Sequence, residues 1–159
     1  MGRFITEIIF WIVLSLIVKS DFKEKIVPDK MTLFILLLGV IKIIFFQEDI
    51  ENKIIGMGTY PVIFLLLYGY GEFLFKKEVV GFGDIKLLSS IGFYIGYLGI
   101  YSLIVFYNII FSFSLFYGLI YKFYFKNNEV PFAPVIVIGT FIFYFLQGNF
   151  IWRKRDFCW

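Results

Sequence analysis

An all-α, polytopic membrane fold with about six transmembrane helices is what this 159-residue chain predicts. Composition is the first reason: 60% of the residues are hydrophobic, 23% are aromatic and the mean hydropathy is +0.87, where soluble domains are roughly half apolar and a quarter charged. The second is the arrangement of the apolar residues in runs near the ~20 residues that cross a bilayer as helix. The third is that these runs lack the two-residue alternation of a barrel strand, so the backbone polar groups must be satisfied within helices.

The apolar runs place spans at about residues 4–19, 31–46, 54–75, 84–96, 98–121 and 132–152. The first, after Arg3, has the length of a signal-peptide core but no Ala-x-Ala cleavage site, since Ala133 is the sole alanine of the chain. Span two begins just after Pro28, which suits the first turn of a helix and holds Val27 extended. In span four, Gly92 and Gly96 stand four residues apart, a spacing that lets helix backbones approach closely. Lys42 and Glu72, at span ends, are expected to extend toward the headgroups, and Trp11, Trp152, Trp159 and the many tyrosines to anchor the interfaces. The length leaves one domain, residues 1–159.

Loop charge sets the orientation. Lys19, Lys23, Lys25 and Lys30 surround the first loop, Lys76 and Lys77 lie in the third with Lys86 just beyond, and Lys122 and Lys126 mark the fifth. The second loop offers Lys53 among Glu48, Asp49 and Glu51, and the fourth is uncharged, so loops one, three and five face the cytoplasm by the positive-inside rule. Arg153, Lys154 and Arg155 in the tail vote the other way. The net charge of +3 reflects these loop lysines and points to no nucleic-acid partner.

With no histidine and a single cysteine, Cys158, the chain excludes His-based acid/base chemistry, serine triads and Cys/His zinc sites within itself. Carboxylates remain. Asp84, in Gly81-Phe82-Gly83-Asp84, borders the fourth span, and Asp21 lies just past the first and opens a charged loop. On the expected topology both acids reach the same membrane face. Peptide hydrolysis without metal or histidine needs one carboxylate to take a proton from water and one carboxylic acid to donate to the scissile carbonyl; two such groups about 3 Å apart share a proton. Glycines 81 and 83, lacking Cβ, tolerate positive φ and let an extended substrate lie near the backbone. The plainer alternatives are that Asp84 caps the fourth helix, that Asp21 is a solvated loop charge, and that Glu78 and Lys86 form an ion pair or mark the interface.

The stretches Asp21 to Leu33, with Pro28 seven residues after the aspartate, Lys76 to Leu87, containing Glu78, GxGD and Lys86, and Pro131-Phe132-Ala133-Pro134 together resemble the type IV prepilin peptidase (leader peptidase) family over nearly the whole chain. The resemblance implies an aspartic-type endopeptidase of the bacterial inner membrane. It would cut the short basic leader of prepilin or pseudopilin substrates at the cytoplasmic face, in pilus assembly, secretion or DNA uptake, with Asp21 and Asp84 as the catalytic pair and no cofactor or metal. Many members also carry a CxxC-containing module that N-methylates the product; that module is not expected here. The usual Pro-Phe-Gly-Pro reads Pro-Phe-Ala-Pro, and Lys23 stands where many relatives have Arg. Two other readings compete: a signal-peptide-peptidase-like GxGD protease, which resembles a pattern with Tyr-Asp in an earlier helix rather than Ser20-Asp21, and a non-enzymatic channel or assembly subunit, which calls for acids deep within spans.

The orientation is testable with reporter fusions. A periplasm-active reporter inserted near Lys25 is expected to be inactive and a cytoplasm-active one to work; the reverse result would place both acids on the opposite face.

Overall fold

A computed structural model describes residues 2–24, 26–75, 81–125 and 131–155. Among them there are seven helices and no strand: α1 (Gly2–Glu24), α2 (Asp29–Phe46), α3 (Ile50–Thr59), α4 (Val62–Phe75), α5 (Phe82–Ile95), α6 (Ile100–Phe125) and α7 (Ala133–Arg155). They form two compact units, Met1–Gly99 and Ile100–Trp159.

Five of the six expected spans correspond to single helices; the third is broken. Proline lacks an N–H and its ring clashes with the carbonyl four residues back, so the apolar run ends α3 at Thr59 and resumes as α4 at Val62, with Pro61 between them. Among the described residues, two stretches are long and apolar enough to cross a membrane, Ile50–Gly71, which contains that break, and Ile100–Tyr121. The fifth span starts later than expected because Gly96 and Gly99 adopt φ of 85° and 99°, which separates α5 from α6.

In the first unit α5 is the central element, packed by α2, α3 and α4, while α1 lies along α2. Leu87, Leu88, Ile91 and Tyr94 of α5 are fully buried. The closest crossing is between α3 and α5: a Cβ on Gly56 would collide with the carbonyl oxygen of Gly92, and a Cβ on Gly92 with that of Gly56. Gly92 and Gly96 thus both fill the close-packing role their spacing suggests, since the same Cβ on Gly56 would also come within 3.0 Å of the Gly96 backbone. Gly96 follows the end of α5, and the next residue, Tyr97, donates its N–H to the Asn52 carbonyl (2.8 Å).

At the end of α5 that carries Tyr94, four helices and the α2–α3 link share a buried charge cluster. Lys53 of α3 pairs with Glu48 (2.6 Å) and donates to the Tyr94 carbonyl. Lys42 of α2 sits between Glu7 of α1 (3.4 Å) and Glu48 (3.6 Å), 4.3 Å from the centroid of the Tyr94 ring. Phe10 stacks on that ring with centroids 3.9 Å apart. Lys42 is only 6% exposed, so it does not extend to the headgroups as the sequence suggests. Two nearby carboxylates offset its desolvation, and the cluster holds two lysines against two glutamates. The side chain of Glu72 lies outside the described residues.

In the second unit α6 and α7 pack through Phe106 and Phe143, whose rings meet edge to face at 5.2 Å, and through Gly139, where a Cβ would come within 2.8 Å of Ile110 Cγ1. Gln147 donates to Ser102 (2.9 Å). The expected Pro-Phe-Ala-Pro stretch starts α7: Phe132 offers its carbonyl to the N–H groups of Val135 and Ile136, and Pro134 occupies the first turn, where no N–H is needed.

Breaking the buried cluster from one side is expected to be costly. Lys53→Met leaves Glu48 short of a partner and should remove about 3–5 kcal/mol of unfolding free energy measured in detergent micelles. Adding Glu48→Gln should restore more than half of the loss, because Lys42 keeps Glu7; an undiminished parent-like stability in Lys53→Met would contradict the pairing.

Candidate active site

The site is built from the opposite ends of the two helices that also meet at the charge cluster. On α1 the buried residues Thr6, Phe10, Val13, Leu14, Ile17 and Asp21 recur at three- and four-residue steps, so Asp21 is the last member of the helix's core-facing stripe. The expectation that Asp21 opens a loop is corrected: α1 continues to Glu24, since residues 19–24 contain neither Gly nor Pro, and the helix stops short of Val27-Pro28. Asp21 is accordingly 5% exposed rather than solvated.

On α5 the corresponding position is at the start. Gly81 is the N-cap (φ −70°, ψ 138°) and Asp84 lies in the first turn, its N–H donating to the Gly81 carbonyl (3.1 Å). Asp84 is 9% exposed and begins the buried side of the helix that continues through Leu87, Leu88 and Ile91. Neither glycine of GxGD uses positive φ; among the described glycines that freedom appears at Gly96 and Gly99. Both serve close approach instead. A Cβ on Gly83 would stand 3.1 Å from Val27 Cβ, and one on Gly81 3.3 Å from Asp84 Oδ2. Pro28 is the N-cap of α2 and accepts from the N–H groups of Met31 (3.0 Å) and Thr32 (3.3 Å), which fixes the short link holding Val27 against Gly83.

Asp21 and Asp84 line one cavity of about 450 Å³, together with Val27, Pro28, Gly81, Gly83 and the Asp29–Lys86 pair. Asp84 stands at the mouth of α5, outside the two candidate spans. Burial pushes its carboxyl up to about 7, the charge of Asp21 adds to the rise, and the Gly81 backbone N–H pulls the other way. A carboxyl with that pKa is substantially protonated at neutral pH. The cavity therefore combines a proton donor with a second carboxylate, the complement required of an acid/base pair.

Lys86 contacts Asp29 at 2.8 Å and lies 5.1 Å from the centroid of Phe82. The pair is exposed and adds little stability, but it brings a charged group to the cavity that sequence reasoning did not single out. The signal for Asp29 was its place directly after Pro28, in the first turn of α2. Glu78, the expected neighbour of Lys86, lies outside the described residues, as does Cys158.

Comparison with known proteins identifies the family of the chain. No solved structure matches the chain. The prepilin leader peptidase/N-methyltransferase of Xanthomonas campestris pv. campestris is 27% identical over 140 residues, 82% of this chain and 46% of that protein. The protein of the same name from Aeromonas salmonicida is 22% identical over 143 residues, covering 89% and 48% respectively. The one from Escherichia coli K12 is 33% identical over 90 residues, covering 55% and 39%. The chain spans about half the length of the first two relatives. The type IV leader peptidase family matches residues 8–121, a stretch that contains both aspartates and all the described cavity residues, and the chain belongs to that family.

Proposed function

We propose that this protein is a bacterial membrane aspartic endopeptidase that removes the leader of type IV prepilin-like proteins, with Asp21 and Asp84 as its catalytic residues. The observation that carries the reading is the shared cavity in which Asp84 is held partly protonated beside Asp21. Family membership supplies the reaction class, and the name shared by the curated relatives supplies the substrate class.

The reaction follows from the protonation states. Asp21, as carboxylate, takes a proton from a water molecule, and the resulting nucleophile attacks the scissile carbonyl carbon. Asp84, as acid, donates its proton to the carbonyl oxygen, so no full oxyanion builds up. As the tetrahedral intermediate collapses, the proton held by Asp21 passes to the leaving amine while the hydroxyl proton returns to Asp84. Gly81 and Gly83 support the pair by their close packing, Pro28 by ending the α1–α2 link, and Lys86 by placing a cation at the rim.

Six membrane crossings in the cytoplasmic membrane, with both acids on the cytoplasmic face, complete the proposal. The helices support it by their surfaces: Phe4, Phe45, Phe73, Tyr101 and Phe123 are each more than 70% exposed, which suits lipid and would be an aggregation hazard in water. Placement of the acids at helix ends, lining an accessible cavity, favours proteolysis over an ion path through the span centres.

Asp21→Asn and Asp84→Asn are each expected to lower prepilin cleavage by about 10²-fold or more while the protein accumulates normally in the membrane. The double variant should be scarcely worse than either single one, because the two groups act as a unit. Leader loss followed on gels, with mass spectrometry of the new N-terminus, reads both; an Asp84→Asn protein within a few-fold of the parent overturns the assignment.

The pH profile carries a second expectation. Asp84 must hold its proton to donate it, and its raised pKa keeps the proton up to about 7. Cleavage should therefore be sustained below that value and fall about tenfold per pH unit above it. Initial rates between pH 5 and 9 in a fixed detergent test this, and a rate that climbs steadily across that range contradicts the donor role.

A further inference from the structure

The charge cluster around Tyr94 and the acid cavity lie at the two ends of one pair of helices. On α1, Phe10 and Asp21 belong to the same buried stripe, eleven residues apart, about 16 Å at 1.5 Å per residue. On α5, Asp84 and Tyr94 are ten residues apart, about 15 Å. Phe10 stacks on Tyr94 and Asp21 shares a cavity with Asp84, so the two helices run antiparallel with matched spacing. Where α1 is fixed at one end therefore decides what meets at the other.

The backbone packing of α5 is against α2, α3 and α4, while α1 lies along α2. The middle of the α1 stripe, Val13, Leu14 and Ile17, supplies apolar burial, which is non-directional and tolerates a slide or rotation of the helix. The charged end is directional. Glu7 of α1 meets Lys42 (3.4 Å), Lys42 meets Glu48 (3.6 Å), Glu48 meets Lys53 (2.6 Å) and Lys53 donates to the Tyr94 carbonyl, a continuous chain of polar contacts from α1 to α5. Lys42 also stands over the ring on which Phe10 is stacked, so the same two side chains bear on both α1 contacts at this end.

We propose that Glu7 and Lys42 are positioning residues: they set the register of α1 against α5 and thereby hold Asp21 opposite Asp84, about 15 Å away along the helices. The inference rests on these aspartates being the catalytic pair. A buried ion network is a poor source of net stability but a specific way to fix a register. The reaction depends on that register. One residue of slip moves Asp21 by about 1.5 Å along the axis and turns it by about 100°, and a misplacement of about 1 Å can cost on the order of 10²-fold in rate.

The double variant Glu7→Gln, Lys42→Met tests the role. It removes the tie, is charge-neutral, and leaves Glu48 paired with Lys53, so no charge is stranded. Among the described residues, the charged groups that line the acid cavity are Asp21 of α1, Asp29 of α2, and Asp84 and Lys86 of α5, with none from α3 or α4, and the variant changes none of them. With a type IV prepilin as substrate in detergent micelles, kcat is expected to fall about tenfold or more while KM stays within about twofold of the parent. The alkaline limb of the pH profile should move down by about half a pH unit, because Asp84 gives up its proton more readily once the charge of Asp21 recedes. Phe143→Leu, in the buried core of the second unit, is the control that lowers thermal stability and should keep the parental limb. Parental kcat and limb in the double variant overturn the proposal, as does a fall in kcat with the limb unmoved, which is what loss of folded enzyme alone would give.

A readout that needs no cleavage keeps the positioning role and the protease reading separable. In a Cys158→Ser background, protein carrying Asp21→Cys and Asp84→Cys is treated with a short bis-methanethiosulfonate, which bridges two thiols that face each other across the cavity. The pair should bridge efficiently with Glu7 and Lys42 in place and severalfold less in the Glu7→Gln, Lys42→Met protein. Equal bridging with and without the tie overturns the positioning role whatever the activity shows, as does a pair that never bridges. Bridging that depends on the tie, together with an Asp84→Asn protein that still cleaves, would overturn the protease mechanism and leave the positioning role standing.

Discussion

The enclosure of α5 is the constraint on which the rest of the first unit depends. Gly56 and Gly92 let the backbones of α3 and α5 touch, so α5 sinks among its neighbours and buries Leu87, Leu88, Ile91 and Tyr94 completely. Small residues at such a crossing let the two backbones approach closely enough for extensive van der Waals contact. Because the helix is held that deep, whatever polar group stands at either end is desolvated with it. Asp84 at one end and Tyr94 at the other inherit their environments from this one crossing.

Those two ends resolve the cost of burial in opposite ways. Around Tyr94, two lysines meet two glutamates and the charges are offset pair by pair. Around Asp84, burial and, after it, the charge of Asp21 both favour the protonated form, which is why the Asp84 carboxyl rises to about 7. The first arrangement ties α1, α2, α3 and α5 together; the second, in the proposed reaction, supplies and accepts protons. Asp21 reaches the cavity because it sits on the same stripe of α1 as Phe10, eleven residues earlier, whose ring stacks on Tyr94.

The same packing gives the acid cavity a graded surround. Lys86 and Asp29 stand exposed at its rim, and beyond them the walls turn apolar within one turn of α5. The hydroxyls of Thr32, Ser89 and Ser90 keep that change sharp by donating to backbone carbonyls.

By itself the sequence determined the helical class, the approximate place of five of the seven described helices and the two aspartates that line the cavity. Those properties follow from local hydropathy, from the absence of histidine and from the GxGD context, all of which are written along the chain. It also carried unused signals: the three- and four-residue spacing from Phe10 to Asp21 extends α1 through the supposed loop, and Pro61 breaks the third span. The tertiary structure alone decided which groups meet. That Lys42 is buried between Glu7 and Glu48, that Lys86 pairs with Asp29, that Gly56 is the partner of Gly92, and that Asp21 and Asp84 share one cavity all depend on how helices distant in sequence cross. A charged side chain's cost and role are set by its neighbours in space, and no period or composition along one helix specifies what the next helix brings against it.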